Sequence, residues 1–225
     1  MAEALVIAVL GAESTGKTTL AAALATRLAA ETGLRCTWVA EWLRSWCERE
    51  GRTPRRDEQH GIAQTQHAHI AAARADHDIV VCDTSALMTA VYSRIVFGDD
   101  TLATAAAALH RSDVSLSLLT ALDLPWVADG LQRDGAHVRE PVDTALRELL
   151  QASAVPWVLV GGHGAARVDA ALDAVAPLLR RRDTPRQGLL TRLQRREAAA
   201  PAWSWVCEKC DVPECEHAQL RSVRG

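Results

Sequence analysis

Eight residues near the start of the chain, Gly11-Ala12-Glu13-Ser14-Thr15-Gly16-Lys17-Thr18, have the composition and spacing of a phosphate-binding loop, G-x-x-x-x-G-K-[ST]. The two glycines let the backbone wrap closely around an anion, so that successive N–H groups and the start of the next helix face phosphate oxygens. Lys17 is expected to bridge the β- and γ-phosphates of ATP and the Thr18 hydroxyl to coordinate Mg²⁺, with Thr19 completing the ATP-binding segment. The lysine is itself informative. Of the 25 Lys and Arg residues only Lys17 and Lys209 are lysine, so a generic cation here is nearly always arginine. A lysine kept at position 17 fits a need for a compact, flexible ammonium.

Two carboxylates stand where such a loop needs them. The run Ile79-Val80-Val81-Cys82-Asp83 reads as a buried strand ending in Asp83, whose carboxylate would hold Mg²⁺ or its water shell. A simple strand-end cap is the plainer alternative. Glu41 follows a second apolar run, where a carboxylate orients an acceptor hydroxyl and takes its proton. It reads equally as a first-turn glutamate favoured by the helix dipole. The Gly- and Asp-punctuated stretch from Asp123 to Glu140 carries Arg133 and Arg139, suited to close over the phosphates and stabilise the transferring group. Trp126 in that stretch is either a platform for a flat ring or a core residue.

Near the other end, Cys207, Cys210, Cys215 and His217 form C-x₂-C-x₄-C-x-H and use half of the six cysteines. In a reducing compartment this density points to a closed, structural Zn²⁺ site that supplies the folding energy of a segment too short for its own core. A tail of redox-active thiols is the alternative. Cys36, Cys47 and Cys82 read as small buried apolar residues. His60, His67, His69 and His77 read as a polar helix face, because residues two apart on a helix diverge.

Strands over 4–10, 34–40, 78–83, 115–121 and 155–160 and helices over 17–31, 41–50, 57–76, 101–110, 143–152 and 165–181 would position these groups. That alternation predicts an α/β P-loop NTPase: a three-layer sandwich with a five-stranded parallel sheet, plus a small C-terminal zinc-binding tail. The expected segments are a kinase domain over 1–182, a basic helical connector over 183–202 and a Cys/His-rich tail over 203–225. With 48% hydrophobic residues and a net charge of −3, the chain can build a sizeable core and is a poor candidate for binding duplex nucleic acid. No apolar run reaches the roughly 18 residues of a membrane span, and no secretory signal is visible, so a cytoplasmic location is expected. Composition leaves the oligomeric state open.

The combination G-A-E-S-T-G-K-T-T-L, A-E-W-L-R, V-C-D-T with T-x-V-Y-x-x-x-x-F-G, and D-L-P-W-V-A-D-G-L-x-R resembles the nicotinamide riboside kinase domain of NadR-type proteins over about residues 5–182. The resemblance implies ATP-dependent phosphorylation of the 5′-hydroxyl of nicotinamide riboside, giving nicotinamide mononucleotide. It implies that Glu41, Arg44, Gln66, Trp126 and Asp129 line the nucleoside site and that Arg133 and Arg139 form the lid. It also implies that His163 and Arg167, after the fifth strand, touch the adenine. The family's usual tyrosine after the glutamate is Trp42 here, and its D-G-L-R is Asp129-Gly130-Leu131-Gln132-Arg133. The adenylyltransferase domain often fused upstream in that family is not expected in this sequence. A Ras-like GTPase is excluded, since neither lysine lies in an N-K-x-D motif, and no L-S-G-G-Q segment suggests a transporter ATPase. A kinase for another small metabolite and an ATP-dependent switch remain as alternatives.

Overall fold

Leu5–Leu10 form β1, and every residue of it is buried. A strand without a polar face must be covered on both sides, which is the condition for a parallel sheet between two helical layers. The computed structural model describes residues 3–127 and 135–180 and has this architecture. Five strands, β1, β2 (Cys36–Val39), β3 (Ile79–Asp83), β4 (Leu116–Thr120) and β5 (Trp157–Val160), pair in the order β2-β3-β1-β4-β5. All four pairings are parallel. Helices α1 (Lys17–Thr32) and α7 (Gly164–Arg180) pack together, α1 against β1–β3 and α7 against β5. On the opposite face Val6, Ala8 and Leu10 of β1 join a core with residues of α3 (Gln59–Asp76), α4 (Ala86–Phe97), α5 (Ala103–Asp113) and α6 (Arg139–Ser153). Helix α2 (Trp42–Glu50) packs on α3 through a smaller cluster of Leu43, Trp46, Cys47 and Ile62.

The predicted three-layer sandwich is therefore present, and each predicted strand lies within two residues of an observed one. Three elements differ. Helix α4 was not anticipated: Leu87, Met88, Ala90 and Val91 are buried alongside Thr89 and Ser93. A helix whose first half is buried all round and whose second half exposes Ile95 and Val96 shows no amphipathic stripe to read. Helix α6 starts at Arg139, not at 143, so Arg139 is a helical residue and not part of a loop. The long helix expected over 57–76 opens as a 3₁₀ turn, Arg56–Glu58, held by a reciprocal cap between Arg55 and Glu58, before α3 begins. The expected connector 183–202, the tail 203–225 with Cys207, Cys210, Cys215 and His217, and residues Asp129 and Arg133 all lie outside the described residues.

Strand order reverses at β1, whose neighbours β3 and β4 continue in opposite directions across the sheet. The crevice at the carboxyl ends of these three strands is where a doubly wound sheet binds its ligand. The loop from Gly11 to Gly16 leaves β1 into this crevice.

Candidate functional site

The loop is held in shape before any ligand arrives. A Cβ on Gly11, whose φ is +154°, would come within 1.9 Å of Thr120 Oγ1, so only glycine fits. The Thr120 hydroxyl at the end of β4 is 3.1 Å from the Leu10 carbonyl and 2.6 Å from the Thr15 hydroxyl. Thr15 in turn donates to the Ala12 carbonyl at 2.8 Å. This buried relay fixes the loop to the neighbouring strand. Gly16 caps α1 in the left-handed region, φ 75°, so that the helix starts at Lys17 and its N-terminus faces the loop. The Lys17 ammonium donates to the Ala12 carbonyl at 2.9 Å, folded back onto the loop that it serves.

Register places Val9 of β1 beside Asp83 of β3, which brings the Asp83 carboxylate to the foot of α1. Asp83 Oδ2 accepts from the Thr18 hydroxyl at 2.5 Å. Asp83 is 1% exposed, and its Oδ1 has no hydrogen-bond partner. Burial raises this carboxyl above its ordinary range, against the opposing pull of the Thr18 hydrogen bond and the Lys17 charge. An all-oxygen site with an orphaned, buried carboxylate oxygen fits a hard divalent cation such as Mg²⁺. The residue after it, Thr84, has φ 71°, and its N–H donates to the Val9 carbonyl at 3.0 Å. A β-branched residue held there is strained backbone directly beside the candidate metal ligand.

A second buried network fixes the same corner. Ser85 caps α4 and bonds His110 Nδ1 at 3.0 Å, while His110 Nε2 bonds Ser117 of β4 at 2.8 Å. Burial pushes His110 down to about 4, so the ring is neutral at working pH. Neither His110 nor Thr120 stood out in the sequence, because both act through contacts between distant strands and helices.

Glu41 immediately precedes α2 and has no side-chain capping bond, which argues against the capping alternative. Its carboxyl lies in the field of Lys17, Asp83, Arg44 and Glu13, and burial pushes it up to about 7. Loop, metal corner and Glu41 thus converge.

Residues of the phosphate-binding loop line two clefts. One, of about 470 Å³, is lined by Ser14 to Thr19, Arg44, Leu124, Pro125 and Val127. The peptide 124–127 lies across the loop: the Ser14 hydroxyl bonds both the N–H and the carbonyl of Val127, and the Leu124 side chain meets Gly16. Arg139 braces this peptide from α6 by donating to the Leu124 carbonyl at 2.9 Å. It is 8% exposed, and its Nε and Nη2 are buried without partners. The other cleft, of about 430 Å³, is lined among others by Glu13, Gln59, Tyr92, Phe97 and His137.

Gln66 accepts from the Trp42 N–H at 2.7 Å and contacts the Ala40 carbonyl, so it fixes the entry to α2 and with it Glu41. Arg44 lines the phosphate cleft and not the apolar one. Trp126 is half-buried beside the loop, and the aromatic wall of the second cleft is made by Tyr92 and Phe97 instead. Arg167 is 4% exposed, and its guanidinium is tied to Asp123 and to the carbonyls of Gly162 and Ala121. It clamps the β4 and β5 loops together and is not turned toward a base, whereas His163 is exposed. The polar-face reading of the histidines agrees with His67 paired to Asp113 and His69 set edge-on to Trp42. No metal-binding group of three or more His, Cys, Asp or Glu side chains occurs among the described residues. Cys47 and Cys82 are buried and Cys36 is half-buried, and burial pushes the Cys36 thiol up to about 11.

A family model described as an AAA domain matches residues 6–167, from β1 through the phosphate-binding loop, Glu41 and Asp83 into α7. The chain belongs to this AAA domain family. Among solved structures, the family member is similar to NadR protein in complex with NAD and AMP-PNP, with a TM-score of 0.61 and 20% identity over 77% of this chain and 49% of that one. It is similar to NadR protein in complex with NR, with a TM-score of 0.58 and 21% identity over 77% of this chain and 50% of that one. A thymidylate kinase from Ehrlichia chaffeensis aligns with a TM-score of 0.53 and 14% identity over 79% of this chain and all of that one. At these identities the likeness shows a shared fold, and the chain spans about half the length of the NadR chains it matches. Comparison with curated proteins finds no match. Among the described residues no helix is long and apolar enough to cross a membrane.

Proposed function

We propose that this AAA domain protein is an ATP-dependent kinase that phosphorylates the 5′-hydroxyl of nicotinamide riboside, yielding nicotinamide mononucleotide and ADP. The observation that carries the reading is Glu41: a carboxyl pushed up to about 7 by burial, in the field of Lys17 of the phosphate-binding loop, Asp83 and Arg44. A group of that pKa is a competent proton acceptor at neutral pH. The NadR-like sequence motifs and the NadR-like fold support the choice of acceptor.

In this reading the nucleoside hydroxyl gives its proton to Glu41 as its oxygen attacks the γ-phosphorus, and the bond to the bridging oxygen of ADP breaks. Lys17 leaves the Ala12 carbonyl and follows the charge on the transferring group, the task of the P-loop lysine. Thr18 and Asp83 would hold Mg²⁺, which when bound would neutralise phosphate charge. Arg139 and Arg133 supply further positive charge, Arg44 lines the phosphate cleft, Asp129 binds the nucleoside, and His163 meets the adenine. The Cys207, Cys210, Cys215 and His217 cluster of the tail holds a structural Zn²⁺, a reading that rests on its sequence spacing.

The test is ADP release from ATP and Mg²⁺ across a panel of nicotinamide riboside, other nucleosides and thymidine monophosphate. Turnover that depends on nicotinamide riboside is expected. ATP binding with no acceptor-dependent turnover would make the protein a nucleotide-operated switch.

A further inference from the structure

The Ala12 carbonyl of the phosphate-binding loop has two donors. The Thr15 hydroxyl reaches it at 2.8 Å and the Lys17 ammonium at 2.9 Å. Ala12 and Thr15 are fully buried, so solvent replaces neither donor. The Thr15 oxygen also stands 2.6 Å from the hydroxyl of Thr120, itself fully buried and 3.1 Å from the Leu10 carbonyl. A hydroxyl has one proton to give and two lone pairs to accept with. With Thr120 donating to Thr15, the single Thr15 proton goes to Ala12.

The two donors differ in what else they can do. Lys17 lines the phosphate cleft on a flexible stem and is drawn away by phosphate charge. Thr15 is locked between the loop and the end of β4. Were the lysine the sole donor, its departure would orphan a buried carbonyl, and that loss would be subtracted from nucleotide affinity. With Thr15 in place the carbonyl keeps a partner throughout. The Ala12 carbonyl and the Glu13 N–H belong to one planar trans peptide, so holding the first also fixes where the second points.

We propose that Thr15 is a positioning residue for Lys17: its hydroxyl keeps the Ala12 carbonyl bonded, so that the lysine moves to the phosphates without leaving a buried acceptor behind. The inference rests on Lys17 as the phosphate-binding lysine and adds the group that releases it.

A double-mutant cycle of Thr15→Val and Lys17→Ala in the ligand-free full chain tests it by melting temperature. Thr15→Val leaves Lys17 on Ala12 and Thr120 on Leu10, whereas Lys17→Ala leaves Thr15 on Ala12. Each single variant is therefore expected within about 3 °C of the wild type. The double variant orphans the carbonyl and should melt at least about 3 °C below the sum of the two shifts. Calorimetric titration with AMP-PNP and Mg²⁺ gives the second readout. Thr15→Val should weaken binding about tenfold, while Thr15→Ser, which keeps the hydroxyl, should stay within about twofold of wild type. Additive shifts in the cycle, a Thr15→Val chain that does not fold, or one that binds AMP-PNP as the wild type does, each overturn the inference. A chain that shows the cycle and the weakened binding but does not phosphorylate nicotinamide riboside keeps this inference and loses the proposed reaction. Phosphorylation with an additive cycle does the reverse.

Discussion

Replacing Glu41 by Gln should slow the enzyme and stabilise it at the same time. The carboxyl sits at about 7 instead of its ordinary 4.5, with burial as the largest cause. One pH unit corresponds to about 1.4 kcal/mol, so holding this group charged above neutral pH costs the fold up to about 3 kcal/mol. Solvent screening of a half-buried side chain leaves on the order of 1–2 kcal/mol of that. The sign follows from linkage: the folded state binds the proton more tightly, so wild-type stability is full below 4.5 and declines as pH rises through about 7. Glutamine has no charge to bury. At pH 8 the variant should melt about 2–6 °C higher than wild type, the shift expected for a chain of this size, and the gap should close by pH 5. In the kcat profile of the wild type, Glu41 should appear as an acid limb near 7. The variant should lose that limb and about a hundredfold in kcat, with the KM for ATP little changed. Differential scanning fluorimetry across pH and steady-state ADP release provide both readouts. A variant that melts below wild type at pH 8, or one that keeps the acid limb, refutes the assignment of Glu41 as a buried base.

Lys17→Ala and Asp83→Asn should each reduce kcat by at least about a hundredfold with the fold intact by circular dichroism, because both act on phosphate charge; near-native turnover in Asp83→Asn would remove its Mg²⁺ role. Gly11→Ala should abolish ATP binding measured by calorimetry, since the new Cβ meets Thr120 Oγ1 at 1.9 Å. His110, held down to about 4 by burial, contributes stability that is present above its ordinary 6.5 and is lost as pH falls through about 4. Acid titration over that window should remove up to about 3 kcal/mol, measured by urea denaturation, and His110→Asn should flatten the dependence. Elemental analysis after dialysis should find about one zinc per chain, removed by replacing Cys207 and Cys210 with Ser.

What the sequence made legible was local. The phosphate-binding loop, the apolar run into Asp83 and the alternation of strands and helices are patterns within a few residues, and each strand they implied exists. What stayed hidden depends on groups brought together from far apart. Thr120 holds Thr15 across 105 positions, and His110 ties Ser85 to Ser117, with nothing in the local spacing to announce either. Arg167 and Gln66 are expected as ligand contacts only through the family resemblance, which carries over positions and not the partners a side chain finds in this fold. The structure gives them carbonyl, carboxylate and N–H partners of the protein itself. Helix α4 was lost for the opposite reason, having too many buried faces to show a period. Its Tyr92 and Phe97 lay in a quoted motif, and their being the only tyrosine and phenylalanine was the available signal.

The Ser14–Val127 contact has a kinetic consequence. Because one hydroxyl grips both polar groups of a peptide that lines the phosphate cleft, a nucleotide bound as proposed leaves only after that grip opens. Two hydrogen bonds must open together, at a net cost of about 1–3 kcal/mol, so the open form is a minority of roughly one molecule in six to one in a hundred and sixty. In the proposed reaction, spent ADP departs through that minority. The latch therefore sets a ceiling on turnover and in exchange lengthens the time that ATP waits, shielded from stray hydrolysis, for an acceptor to arrive.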